Sequence, residues 1–213
     1  MNALNKLTCA ALVAMAAGCM SSSGTTSGTS GAASQAAAVE GTFISANVRS
    51  VKIIVPETLT VSEENSYKPK SDIVWREDPY GNRLPQVEAI MKTAVNRGAA
   101  TARGKRSVNL DVQVLRFHAL TEKTRYSVGG THDIRFLMTL KDPSSGTILA
   151  GPHYVHAEFR AYGGSQALEA ERRGETQKKR IIDHVSNVIA TKLRGPLSAN
   201  SGDANKKGFF SLF

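Results

Sequence analysis

The chain has 213 residues, with 27 Lys and Arg against 18 Asp and Glu, a formal net charge of +9, a sequence pI near 9.7 and 41% hydrophobic residues. Its 2 cysteines, Cys9 and Cys19, sit near the N-terminus, so the rest of the chain offers no thiol for a disulfide, a thiolate metal site or a cysteine nucleophile. With both ends set aside, about 155 residues remain to fold, enough for one domain with a single core and too few for two.

Asn2 to Lys6 form a short, singly positive segment, Leu7 to Ala17 form an apolar run, and small residues follow, which is the order of a bacterial export signal. The run falls short of the roughly 20 apolar residues that span a bilayer. No later stretch reaches that length without charges, so no transmembrane helix is expected after cleavage. Ala16-Ala17-Gly18-Cys19 resembles the lipobox of bacterial lipoproteins. The resemblance implies that residues 1–18 are a signal peptide, that the Cys19 thiolate accepts a diacylglyceryl group, and that cleavage before it exposes an amine for a further palmitate-type chain. Each buried CH₂ contributes about 0.8 kcal/mol, and two or more chains together anchor stably. The family pattern prefers Leu three residues before the cysteine, where this chain has Ala16. Ala14-Met15-Ala16 offers an ordinary A-x-A cut instead, which would leave Cys19 as a free thiol on a soluble periplasmic protein. In the sorting rule of such lipoproteins, Asp after the cysteine retains the protein at the inner membrane. Met20 stands there, which implies the periplasmic side of the outer membrane.

Residues 19–41 then read as the acylated cysteine and a tether. Met20 to Glu40 are rich in Ser, Gly, Thr and Ala and cannot bury enough apolar surface to offset ordering entropy. Such a chain has a root-mean-square span of about 25 Å. The domain is expected over 42–197, beginning with the β-branched run Val48, Val51, Ile53, Ile54 and Val55, stopped by Pro56. Thr58 to Val61 either continue this strand or pair with it. Ser62 to Arg83 form a long excursion rich in loop residues, anchored by Trp75, which is either a core plug or a ligand platform. After Pro85, the spacing of Val87, Ile90, Met91, Ala94 and Val95 predicts an amphipathic helix ending around Gly98 to Gly104. Val108, Leu110, Val112 and Val114 alternate with polar residues as a half-buried strand, and so do Ile134, Phe136, Met138 and Leu140. Asp142 to Gly146 form a turn into a strand from Ile148 through Ala161, ended by Gly163-Gly164. A short helix over Ser165 to Arg173 is expected. A final helix follows, with Thr176 as N-cap, a stripe of Ile181, Ile182, Val185, Val188, Ile189 and Leu193, and Gly195-Pro196 as its stop.

The order β-α-β-β-β-α predicts an α+β fold: an antiparallel sheet of about four strands with two helices on one face, and a second, polar face open to water or a partner. On the segments Ser62-Glu63-Glu64-Asn65, Asp72-Ile73-Val74-Trp75, Arg116 to Lys123, and Gly163-Gly164 with Thr176-Gln177, the chain resembles a family of small alphaproteobacterial envelope lipoproteins without assigned function. Its element order is similar to that of helix-over-sheet lipoproteins of outer-membrane assembly and transport, including the lipopolysaccharide-assembly lipoprotein. That likeness is topological and transfers neither a function nor catalytic residues.

Imidazole is the commonest transition-metal ligand, which draws attention to His118, His132, His153, His156 and His184. His153 and His156 stand three apart in a strand and so on opposite faces, and no H-E-x-x-H or Cys/His cluster accompanies them, so no metal and no cofactor is expected. No G-x-S-x-G elbow is present, and Glu63-Glu64 and Glu169/Glu171 read as solvated pairs, so no enzymatic activity is expected. Arg172, Arg173, Lys178, Lys179 and Arg180 surround the start of the last helix. They form either a patch for an anionic lipid or glycan or the solvated faces of two helices. Export makes nucleic acid the wrong partner. Residues 198–213 read as a tail with an aromatic tip, Phe209, Phe210, Leu212 and Phe213, which either docks on its own domain or inserts into an envelope partner or membrane interface. The expected function is a non-enzymatic interaction or assembly module anchored through Cys19. The alternative is a periplasmic binding module for an anionic lipid or glycan.

Overall fold

A computed structural model describes residues 45–194. β1 (Ala46–Ile54) ends just before Pro56, and β2 (Ile73–Val74) follows after a long loop. Next come α1 (Arg83–Ala99), β3 (Arg106–His118), the single-turn α2 (Glu122–Arg125), β4 (Gly130–Lys141), β5 (Ile148–Ala161), α3 (Gly164–Arg172) and α4 (Gln177–Arg194). The sheet runs β1-β3-β4-β5, with β2 beside β3. The α+β fold with helices over a mostly antiparallel sheet is the architecture expected from the sequence. Two pairings refine it: β1 and β2 both join β3 in parallel, β1 along residues 106–113 and β2 at Phe117 and His118. They share one edge of β3 because the chain leaves that edge after Ile54 and returns to it at Ile73. Thr58 to Val61 do not continue β1; Val61 makes a single bridge to Ile73.

The 3.6-residue pattern of α1 buries Val87, Ile90, Met91, Ala94 and Val95, and that of α4 buries Ile181, Val185, Ile189 and Leu193, with Ile182 and Val188 at the margin. Both stripes lie on the sheet face formed by Val108, Leu110, Val112 and Val114 of β3, Ile134, Phe136, Met138 and Leu140 of β4, and Val155 and Ala157 of β5. Each Val, Leu, Ile, Phe or Met among them, buried rather than exposed, contributes roughly 1.5–3 kcal/mol. Asn82 caps α1 by accepting from Leu84 N at 3.1 Å, and Thr176 caps α4 by accepting from Lys179 N at 3.2 Å. The helices touch at Gly98, where a Cβ would come within 2.5 Å of Ser186 O, and Arg97 pairs with Asp183 at 2.5 Å.

This arrangement separates two ends of the domain. Ala46 pairs with Arg106 at the start of β3, and Gly104 N donates to Ala46 O at 3.0 Å. α4 begins beside Leu120 and passes Gly98 at Ser186 and Ile189, so it also runs towards that end. Ser45 and Arg194 therefore leave the domain together, about 40 Å of strand away from His118 at the rise of an extended chain.

Candidate functional site

The far end, where β3 finishes, is built from the segments singled out in the sequence. The loop before β2 lays its carbonyls against the run Arg116 to Lys123, and that run supplies the donors. Phe117 N and Ala119 N donate to Asp72 O and Val74 O, each at 2.9 Å. Thr121 Oγ1 donates to Ser66 O at 2.7 Å, Thr124 Oγ1 to Tyr67 O at 2.9 Å, and Arg116 to Ser71 O at 2.9 Å. His118 Nε2 lies 3.0 Å from Pro69 O; a carbonyl only accepts, so this nitrogen carries the proton. Lys123 N donates to Asn65 Oδ1 at 2.8 Å. The carbonyls that this loop turns inward need partners, and these donors supply them. Gln177 closes the other side, accepting from Leu120 N at 3.0 Å. Gly163 crosses the turn before β4 so closely that a Cβ would lie 2.0 Å from Gly129 N.

Around this junction the charges form a closed lattice. Arg83 is 4% exposed and grips Glu63 with two bonds, Nε to Oε1 at 2.5 Å and Nη2 to Oε2 at 2.9 Å. Its Nη1 donates to Asp78 O, Pro79 O and Gln86 Oε1 at 3.1, 3.2 and 2.8 Å. Arg76 joins Glu122 at 2.5 Å, Arg125 joins Glu77 and Glu171, and Lys178 joins Asp78 at 2.8 Å. Trp75 Nε1 donates to the same Asp78 at 2.8 Å. The hydrogen bonds from Arg83 hold the Glu63 carboxyl below its usual range. Burial pushes Asp78 upwards, but the bonds from Lys178 and Trp75 outweigh it and its pKa falls as well. Both acids are held ionised, which suits fixed structural partners; a general acid needs the opposite shift.

Over this lattice lies an aromatic rim. Tyr67, Tyr80, Tyr126 and Val128 are exposed, Tyr80 by 86%. Cations brace the rings: Lys123 Nζ is 4.6 Å from the centre of Tyr67, Arg125 is 5.3 Å from Tyr126 and Arg83 is 5.8 Å from Tyr80. Rigid Tyr and Arg are the side chains that carry most energy at protein interfaces. Next to the rim, Lys68, Lys70 and Lys123 are exposed and make no ion pair among the described residues.

The proposed basic patch is present but largely neutralised. Arg172 pairs with Glu169 at 2.5 Å, Arg173 with Glu169 and Glu175 at 3.2 and 3.3 Å, Lys178 with Asp78 at 2.8 Å and Lys179 with Asp183 at 2.7 Å. Arg180 instead stacks 3.6 Å over the centre of Tyr162 and donates to Arg160 O at 2.9 Å. A groove of about 520 Å³ along α3 includes Arg172, Arg173 and Tyr162, and Glu169 lies in it between the two arginines. His132 and His184 pack on Phe159 with ring centres 4.8 and 4.3 Å from it, and among the described residues no three His, Cys, Asp or Glu side chains are grouped to hold a metal ion. Cys19 and the tip Phe209, Phe210, Leu212 and Phe213 lie outside the described residues.

His132 is 2% exposed, next to a cavity of about 20 Å³, the size of one water, shared with Arg125, Tyr162 and Arg180. Burial, then the nearby Arg180 and Arg125, push its pKa down to about 3. The unfolded chain protonates near 6.5 and the folded one does not. The stability tied to neutral His132 is therefore complete above pH 6.5 and is lost as pH falls from there towards 3. Between pH 7 and 5 the loss through this group is about 2 kcal/mol. Urea unfolding at both pH values should show wild type losing that much more than His132→Leu; equal losses would contradict the assignment.

Two long helices across one face of a sheet in which β1 and β2 run parallel to β3, and β3, β4 and β5 run antiparallel, define a small α+β helix-over-sheet domain. Residues 46–208 match the family of unknown function DUF6778, and the chain belongs to that family. No curated protein matches it. Among solved structures, the crystal structure of a "putative lipoprotein" from Caulobacter crescentus CB15 aligns at 13% identity over 50% of this chain and 80% of that one, with a TM-score of 0.30. A likeness that slight transfers neither fold nor function.

Proposed function

We propose that the protein is a lipoprotein of the bacterial envelope, anchored through Cys19 on the periplasmic side of the outer membrane, whose domain is a non-enzymatic interaction module. The observation that carries this reading is the polarity of the domain. Ser45, which continues from the anchor segment, and Arg194 leave at one end, while the braced tyrosine rim stands at the other. In such a module the braced tyrosine rim, at the end of the domain opposite Ser45, is the surface offered to partners in the periplasm. Met20 after Cys19 supports the outer membrane as the address.

The anchor is tested by intact mass and membrane fractionation of the full chain. Expected is a mature protein starting at Cys19 with added acyl mass in the membrane fraction, and an unacylated, soluble Cys19→Ser variant. An unmodified soluble chain starting at Ala17 would refute the anchor. For the contact surface, a photo-crosslinking residue at Tyr126 should capture an envelope protein and one at Asn96 should not.

A binding module for an anionic lipid or glycan is the second reading. It draws support from Lys68, Lys70 and Lys123 beside Tyr67 rather than from the paired cations of α3 and α4. Binding to anionic vesicles that weakens with salt and is lost in Lys68→Glu with Lys123→Glu would favour it.

A further inference from the structure

β5 is the last strand of the sheet on its side among the described residues. The direction of its backbone groups follows from the opposite edge. Phe117 N donates to Asp72 O, so Phe117 turns its polar backbone groups to β2, and His118 turns its own to β4. His118 lies opposite Asp133, and Asp133 opposite Glu158. Alternation then gives the Asp133 groups to β3 and leaves the N–H and C=O of Glu158 facing away from β4. With a period of two, Tyr154, His156 and Arg160 face the same way. The bond from Arg180 to Arg160 O fits this direction.

An edge with unpaired donors and acceptors is a template for another strand. Devices that blunt such edges stand at its two ends: Pro152 and the register shift opposite Leu140 and Lys141 at the start of β5, and the Arg180 guanidinium on Arg160 O at its finish, which leaves Tyr154, His156 and Glu158 open between them. From His153 to Ala161 the pairing with β4 runs without interruption. The side chains of Tyr154, His156, Glu158 and Arg160 lie on the open face, an aromatic, a base, an acid and a base in order.

The geometry points to an antiparallel pairing of this edge with the β5 of a second copy of the chain, about a two-fold axis at Ala157. In that register His156 faces Glu158 of the second copy and Tyr154 faces its Arg160, so each cross-strand pair is complementary and occurs twice. An axis at Glu158 sets two glutamates against each other. An axis at His156 sets Pro152, which has no N–H, opposite Arg160. The two sheets become one, with all helices on one side and both polar faces on the other. A single strand pair buries less than a standard interface of about 1,200–2,000 Å², so the dimer is weak and concentration-dependent. The contact is independent of the anchor.

The test is sedimentation equilibrium of the full chain carrying Cys9→Ser and Cys19→Ser, over about 5–500 µM, a range that brackets a weak dissociation constant. A monomer–dimer equilibrium is expected. Glu158→Pro removes a donor that β4 does not use, so it should weaken dimerisation at least tenfold with an unchanged far-UV spectrum. His156→Cys together with Glu158→Cys should oxidise to a covalent dimer, and Glu158→Cys alone should not. A dimer that survives Glu158→Pro, or crosslinking through Glu158→Cys alone, overturns the proposal. So does a full chain that stays monomeric; if deleting residues 198–213 then permits association, the edge belongs to the chain's own tail.

Discussion

Trp75→Ala is expected to lower the unfolding free energy by about 3–5 kcal/mol, the usual cost of emptying a buried tryptophan site. Trp75 is fully buried, packs edge-on against Phe117 with ring centres 5.7 Å apart at 83°, and donates to Asp78. It follows directly on β2, so its ring plugs the seam between the long loop and the sheet. Truncation opens a cavity at that seam and takes one bond from Asp78, leaving the carboxylate to Lys178. Trp75→Phe keeps most of the volume and should cost roughly 1 kcal/mol, close to the worth of one hydrogen bond. Trp75 is the only tryptophan, so unfolding in urea is best followed by far-UV circular dichroism. A loss under 1 kcal/mol for the alanine variant would mean that the ring is not a structural plug.

Arg83→Met is expected to cost about 3 kcal/mol, because removing one partner of a buried ion pair strands the other charge, and Asp78 O and Gln86 Oε1 lose their donor with it. The low end of the usual range applies, since Glu63 is 33% exposed and keeps Arg76 nearby. Glu63→Gln should destabilise as well, and the double variant should cost less than the two single losses added together. The pH dependence has a definite sign. Glu63 has a folded pKa below its ordinary 4.5, so its contribution is present above that value and disappears as pH falls through the folded pKa. Arg83→Met should therefore show a shallower acid-side decline than wild type. Parallel declines would show that Arg83 does not set the Glu63 proton affinity.

Periodicity made the long elements legible. Five apolar residues at helical spacing announced α1, a stripe from Ile181 to Leu193 announced α4, and period-two alternation announced β3 and β4. These patterns report burial, and burial is what the core settles. The direction of β1 was not legible, since a β-branched run reads the same beside a parallel or an antiparallel neighbour. α2 is too short for periodicity; Thr121, accepting from Thr124 N at 3.2 Å, is its one local signal. The distinctive segments were visible as unusual, but their work was not, because it consists of bonds between residues about 50 positions apart, such as Thr121 to Ser66. The basic run at α4 looked like a patch because a sequence shows cations in a row and conceals the carboxylates that meet them from α3, from Asp78 and from one turn further along α4.

The parallel pairing of β1 also sets an order in time. Ala46 waits for Arg106, sixty positions later, and cannot dock until α1 has crossed back over the sheet. β3, β4 and β5 need only the connections 119–129 and 142–147, each far shorter than the stretch from β1 to β3. Closing the longer loop has the greater entropic cost, so the three-stranded meander forms first and the oldest strand of a chain emerging N-terminus first is the last to be placed. Until then Val48, Val51, Ile53 and Ile54 stay uncovered, a β-prone stretch open to pairing with the wrong strand or with another chain.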